Sequence, residues 1–372
     1  MKKRILSLIL CIAFLLPCLA GCNGSDVTPT GTDSDTFVSE ESDGTETADT
    51  SDTAKPTAST NEKINMWTYK QEKGVGIRDL VINTSKGGED IQIIQITDPH
   101  LSWVNDTDLA DETIKNTYET RTFGKDGSHW SNMQKCLELA SDADQIVITG
   151  DIYDYLTTEV INRVQENVFA PNADRLMACL GNHEAVKAMG EESEHYWNDV
   201  LPERMETLEE SWVNDVYYSS KVLGEKVMLI QMDNGVTGKF WDVQVDKFSA
   251  DLDRARANGY AVLLFYHIPI ATLNSNDINS KCCGIQASGT EAYFNFCSTG
   301  AAPGGNDATG KICSLIFSNG DIIKGAFCGH KHSDFYTEIK ATDPNGNSAP
   351  IPQYILAGAY VGGGQVMRIT VK

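Results

Sequence analysis

The chain has 372 residues, and 52 acidic against 30 basic side chains give it a formal net charge of −22. That balance excludes an extended nucleic-acid-binding surface, which needs basic patches to displace counterions. The length allows one large domain with a full hydrophobic core, or two small ones.

At the N-terminus, Met1-Lys2-Lys3-Arg4 is cationic, and residues 5–16 form a mainly apolar run too short to span a bilayer comfortably. It closes on Leu19-Ala20-Gly21-Cys22, small residues directly before a cysteine. This box resembles a bacterial lipoprotein signal. The resemblance implies a signal peptide over residues 1–21, lipid on Cys22, and anchoring to the cell membrane from the extracytoplasmic side, since no later segment is apolar enough to span. Residues 22–62 are dominated by Ser, Thr, Asp and Glu. Such a segment buries too little surface to offset chain entropy, so it reads as a disordered tether extended by charge repulsion. With no second linker and no internal repeat, residues 63–372 are expected to form one domain.

Within that domain strand and helix patterns alternate. Residues 90–97 (DIQIIQIT) form an apolar, β-rich run ending at Asp98-Pro99-His100. Residues 131–141 carry Met133, Leu137 and Ala140 at helical spacing. Residues 145–151 (QIVITGD) are a strand running into Gly and Asp. A second helix starts near Thr157, with Val160, Ile161, Val164 and Val168 on one side. Residues 175–184 are a strand ending in Gly-Asn-His-Glu. Residues 226–234 and 261–269 repeat the device, and between them a helical stretch closes at Gly259. The chain finishes with two more strands near residues 352–359 and 365–372. Alternating elements of this kind predict an α/β sandwich with largely buried sheets.

In such sheets ligands collect beyond the carboxyl ends of the strands. There the sequence places Asp98 and His100; Gly150-Asp151 with Asp154; Gly181-Asn182-His183-Glu184; His267; and Gly329-His330-Lys331-His332. Five of the seven histidines fall at these ends, His129 and His195 being the exceptions. The order D-x-H, G-D-x-x-D, G-N-H-E, a single His, and G-H-x-H resembles the signature blocks of the calcineurin-like metallophosphoesterases. The segments YHIPIA and FCGHKHSDF are also similar to the purple-acid-phosphatase-28/Dcr2-like branch. The resemblance implies a four-layer α-β-β-α sandwich with a dinuclear metal site at the carboxyl ends of the strands. It further implies that Asp98, His100 and His332 hold one metal, that Asn182, His267 and His330 hold the other, and that Asp151 bridges them. His183 would then bind phosphate and protonate the leaving group, with Asp154 accepting its other ring N–H.

The residue types suit the chemistry. Attack on a phosphate ester at neutral pH needs a hydroxide, shielding of phosphate charge, and a proton for the leaving oxygen; two divalent ions supply the first two. Carboxylate, imidazole and amide oxygen donors suit Mn, Fe or Zn. The expected function is therefore hydrolysis of phosphate esters at the cell surface by a hydroxide held between the metals, on a small-molecule or phosphoprotein monoester. A phosphodiesterase or nucleotidase of the same family is the alternative, and a surface lipoprotein that binds ligand or metal without turnover is a further one. Asp154 stands where purple acid phosphatases carry a metal-binding Tyr, and Tyr153 comes one position early, so an iron–tyrosinate is not expected. Pro99 is expected to hold Asp98 in extended geometry.

Several other features read as non-catalytic. Gly305 to Lys311 imitates a phosphate-binding loop, but Ile312 replaces the required Ser/Thr, and a flexible loop is expected there. Cys136, Cys179 and Cys328 lie in apolar segments as buried thiols, whereas Cys282, Cys283, Cys297 and Cys313 cluster where disulfides could form. Trp103, Trp130, Trp197, Trp212 and Trp241 are candidates either for the cleft rim or for core support.

Overall fold

A strand that is apolar at every position must meet an apolar surface on both faces, because successive side chains point to opposite sides. The computed structural model, which describes residues 67–121, 123–270 and 307–372, provides both surfaces by stacking two six-stranded sheets. The first sheet joins β1 (Thr68–Glu72), β2 (Val75–Ile82), β3 (Ile91–Ile96), β4 (Gln145–Thr149), β5 (Leu176–Cys179) and β12 (Gln365–Val371) in the order β1-β2-β12-β3-β4-β5. The second joins β6 (Tyr218–Leu223), β7 (Val227–Met232), β8 (Ala261–Phe265), β9 (Ile323–Cys328), β10 (Phe335–Ile339) and β11 (Ile351–Ile355) in the order β10-β11-β9-β8-β7-β6.

The alternation of side chains divides the core. In β4, Ile146 and Ile148 enter an outer cluster while Val147 enters the layer between the sheets. In β8, Val262 and Leu264 face outward and Leu263 and Phe265 face the other sheet. Over the first sheet, α2 (Ser128–Leu139) contributes Met133 and Cys136, α3 (Thr158–Val164) Val160 and Val164, and α4 (Leu201–Ser211) Leu201, Met205 and Leu208. Over the second, α5 (Asp242–Asn258) contributes Phe248 and Leu252, and α6 (Asp307–Phe317) Ile312 and Ile316. The result is the expected four-layer α-β-β-α sandwich. The remaining α1 (Glu112–Thr120) precedes α2. β3, β4 and β5 run parallel to one another, as do β7, β8 and β9, so their carboxyl ends come out along one edge of each sheet.

Most local readings hold to within a few residues. The Thr157 side chain accepts the Val160 N–H at 3.0 Å as a cap of α3. A π-turn over Gln165–Phe169 carries that helix on and keeps Val168 buried. Gly259 ends α5 at φ 68. Two expectations are corrected. Gly310 and Lys311 lie within α6, because Ala308, Thr309, Ile312, Cys313 and Ile316 recur at the spacing that lays a helix on the sheet. For the same reason Cys313 is a free thiol buried in that core. Cys136, Cys179 and Cys328 are buried free thiols as expected. Cys22, the tether, Cys282, Cys283 and Cys297 lie outside the described residues. Among the described residues no helix is long and apolar enough to cross a membrane.

Between the sheets Phe327 stacks on Phe265 and on Tyr354, with ring centroids 5.0 and 5.3 Å apart. Phe327→Ala should lower unfolding free energy by about 3–5 kcal/mol in a denaturant titration. An unchanged midpoint would show that this aromatic layer does not hold the sheets together.

Candidate metal centre

The backbones of β3 and β4 keep pairing past the ends of the strands. Asp98 N–H reaches Gly150 O at 3.0 Å and His100 N–H reaches Asp151 O at 2.9 Å. From there the chain turns sharply. Asp98, His100, Asp151, His330 and His332 take φ values of 47, 45, 50, 70 and 52°. Positive φ in a non-glycine residue costs roughly 1–3 kcal/mol and persists only where surrounding contacts over-determine it. Asp98 thus departs from the extended geometry expected before Pro99. The contacts that outweigh the proline restriction fall on its carboxylate, which accepts the His330 N–H at 3.1 and 3.0 Å and the Thr97 hydroxyl at 2.5 Å. Gly329 permits that approach, since a Cβ there would overlap Thr97 Oγ1 and Asp98 Oδ2.

These turns gather the sequence-predicted residues into three clusters among the described residues: two share Asp151, and the third joins His100, Asp154 and His183. In the first, His332 Nε2 lies 3.2 Å from Asp98 Oδ1 and 3.0 Å from His100 Nε2, which is 3.6 Å from Asp151 Oδ2. In the second, His267 Nε2 lies 3.2 Å from Asp151 Oδ2 and 3.2 Å from Asn182 Oδ1, and His330 Nδ1 lies 3.0 Å from that same amide oxygen. His267 Nδ1 donates to Thr149 O at 2.7 Å, which leaves Nε2 to face the group. His332 Nδ1 is 3.0 Å from the Tyr360 hydroxyl.

Acceptor atoms converging in this way require a positive charge between them. Burial opposes ionisation of Asp151, but His267, His183 and His100 hold its carboxyl well below the usual range. Burial likewise disfavours a charged His267, yet Asp151 raises it to about 10. His330 falls to about 3 and His100 to about 4, burial being the main cause for both. Bonds of 2.0–2.2 Å to one ion place neighbouring ligand atoms about 3 Å apart, the spacing seen in both groups. The residues therefore fit two divalent ions, and the O and N donors suit Mn, Fe or Zn.

His183 joins neither of the groups that share Asp151 as a close member. Its Nε2 is 4.0 Å from Asp151 Oδ2, and its Nδ1 is 2.7 Å from the backbone carbonyl of Asp154. The Asp154 carboxylate, the expected partner of that ring, is 3.8 Å away. It turns instead to Arg121, whose Nε and Nη2 reach it at 2.5 and 2.6 Å, and to His100 Nδ1 at 3.2 Å. Burial works against its charge, but His100 and Arg121 bring it down to about 2. Tyr153 is fully buried and packs on Trp212, away from any role as a ligand.

The sequence also contains residues whose part here was not legible. Glu184, fully buried, accepts four backbone N–H groups, from Asp151, Ile152, Tyr153 and Gly181, at 2.5–3.1 Å. It thereby ties the turn after β4 to the turn after β5. Burial and the Asp151 charge raise its carboxyl to about 8. Its place in the G-N-H-E block was a signal without a role. Tyr360 gave no signal, and His129, which sits off the strand ends, has Nδ1 2.8 Å from the His100 carbonyl. Of the tryptophans, Trp212 donates to Ala178 O in the core and Trp241 to Asp233, while Trp103 and Trp130 line a surface groove beside α3. Trp197 is 40% exposed.

Glu184→Gln retains the shape but sets an NH2 group against backbone donors. It should lower stability by about 1–3 kcal/mol for each N–H left unsatisfied, and should weaken retention of both ions in metal analysis of the purified protein. Wild-type stability and metal content in this variant would mean the turns hold Asp151 without the carboxylate.

Residues 91–334 match the calcineurin-like phosphoesterase family. No curated protein sequence matches the chain. Among solved structures, a dimetal phosphatase from Danio rerio aligns at 13% identity and a TM-score of 0.44, over 73% of this chain and 88% of that one. A purple acid phosphatase from yellow lupin (Lupinus luteus) seeds aligns at 11% and 0.44, over 78% of this chain and 47% of its own. The Haemophilus influenzae NAD nucleotidase aligns at 12% and 0.32, over 74% and 46%. The family match spans most of the chain and contains every one of the strand-end blocks, so the protein belongs to the calcineurin-like phosphoesterases, metal-dependent hydrolases of phosphate esters that use a dinuclear centre.

Proposed function

We propose that the enzyme hydrolyses phosphate monoesters at the cell surface, to which lipid on Cys22 holds it. The observation that carries the catalytic part is the position of His183, beside the carboxylate shared by both donor groups. Asp98, His100 and His332 would hold one divalent ion and Asn182, His267 and His330 the other, with Asp151 common to both. Those ions would supply Lewis acidity toward the phosphoryl oxygens and a nucleophile from water at neutral pH.

The chain's own residues supply orientation and a proton. The Asp154 carbonyl accepts the His183 Nδ1–H and sets the ring plane, so that Nε2 is the edge turned toward Asp151. A proton on Nε2 is then placed to pass to the oxygen that leaves phosphorus. The His183 N–H of the main chain donates to Asp151 Oδ1 at 3.1 Å and holds the two residues in register. Because Arg121 already neutralises the Asp154 carboxylate, orientation of His183 falls to the carbonyl. A monoester with an alkoxide leaving group gains most from such a donor, on a small molecule or a phosphoprotein.

His183→Ala should retain both ions. Loss of a general acid costs about 10²–10⁴ in rate; it should fall on an alkyl phosphate and spare an activated aryl phosphate, whose phenolate leaves unaided. Equal losses on the two substrates would make His183 a phosphate-binding group instead. Wild-type turnover of bis(aryl) diesters well above monoesters would establish the phosphodiesterase alternative.

The surface location is supported by the cationic start, the apolar run and the Leu19-Ala20-Gly21-Cys22 box. Cys22→Ser should release the protein from membranes, or leave it unprocessed, in fractionated cells of its native host. Retention of a fully cleaved variant at the membrane would defeat this part of the proposal.

A further inference from the structure

We infer that Arg121 is a positioning residue for one half of the metal centre, locking the Asp154 carboxylate against His100 so that one ion depends on a side chain outside all of the signature blocks. The inference rests on the metal-dependent reading of the site. His100 has two ring nitrogens with different surroundings. Nε2 faces Asp98, Asp151 and His332, while Nδ1 lies 3.2 Å from Asp154 Oδ1, a charge contact not aligned as a hydrogen bond. For Nε2 to present a lone pair, the proton must sit on Nδ1, and the negative charge of a carboxylate 3.2 Å from Nδ1 favours that tautomer.

A fully buried carboxylate performs this only if it is held and its charge is met. Arg121 does both. Its Nε and Nη2 reach Oδ2 and Oδ1 separately, a two-pronged contact that fixes the carboxylate plane as a single-point ammonium would not. The backbone holds Arg121 in turn, since it caps α1 with its N–H on Thr117 O at 2.9 Å. Its guanidinium also lies over the Phe123 ring at 5.2 Å, and that ring packs edge-on against His100 with centroids 5.3 Å apart. Arg121 therefore reaches His100 through a charged contact and an aromatic one.

The second donor group is oriented by other means. His267 is held by Thr149 O, and Asn182 Oδ1 is the atom shared with His330. Asp154 holds the His183 ring by a hydrogen bond through its carbonyl, which a change at Arg121 leaves in place, while its carboxylate stands 3.8 Å from Nδ1. The effect of removing Arg121 should thus be confined to the ion of Asp98, His100 and His332.

The test is titration of the metal-stripped, purified full chain with Mn²⁺ by calorimetry. The wild type should bind two ions. Arg121→Met should weaken one binding event by about 10–100-fold and leave the other unchanged. Arg121→Lys, which keeps the charge but loses the fork, should fall between them, and it carries the test alone if Arg121→Met does not fold. Two undiminished events in the variants would overturn the inference. Parallel weakening of both events with a lowered melting temperature would overturn it too, by making Arg121 a general support of the fold. A wild type that binds no Mn²⁺ would instead defeat the metal-centre reading on which the inference stands.

Discussion

A carboxylate at 1% exposure must be met by positive charge or N–H groups, and Asp151 meets that demand from both sheets at once. From the first sheet come the backbone of β4 that carries it and the His183 N–H at Oδ1. From the second comes His267 at Oδ2, itself fixed by the carbonyl of Thr149 across the seam. Asp151 is the side chain common to both donor groups. The stacked Phe265, Phe327 and Tyr354, all carried by the second sheet, belong to the apolar layer packed between the two sheets.

Holding so many polar atoms at one point strains the backbone, and the structure answers locally. Five of the strand-end residues sit at positive φ. Glu184 gathers the N–H groups that those turns leave behind, and Gly329 removes the Cβ that would bar His330 from Asp98. A buried Glu with four backbone donors is costly to desolvate unless all of its acceptor positions are used. Here the donors come from two different turns, so the same side chain that satisfies them also fixes their separation.

Asp154 illustrates how one residue can be divided. Its carbonyl faces His183, the candidate proton donor, while its carboxylate faces His100 and Arg121. The expected pairing of that carboxylate with His183 fails for a geometric reason. Nδ1 of His183 is already 2.7 Å from a nearer acceptor on the same residue, and a guanidinium is the stronger claimant for a buried carboxylate. Orientation of the acid and orientation of a ligand are thereby separated, so substitutions of Asp154 and of His183 report on different things.

Sequence alone determined which residues would stand at the strand ends. Apolar runs of period two or uniform character announce strands, and Asp98, His100, Asp151, Asn182, His183, His267, His330 and His332 each follow such a run or its turn. Those features are local in the chain, so they are legible without coordinates. The weakly patterned β1, with four exposed positions, carried too little alternation to be found, whereas α4 went unread although Leu201, Met205 and Leu208 recur in it at helical spacing. What only the tertiary structure decided was who faces whom. Arg121 lies 33 residues from Asp154, and Tyr360 lies 28 from His332. Such pairings follow from how two sheets and their turns pack, and packing depends on contacts that no local pattern records. Asp98 abandoned extended geometry before Pro99 for the same reason: the His330 N–H on its carboxylate comes from the other sheet.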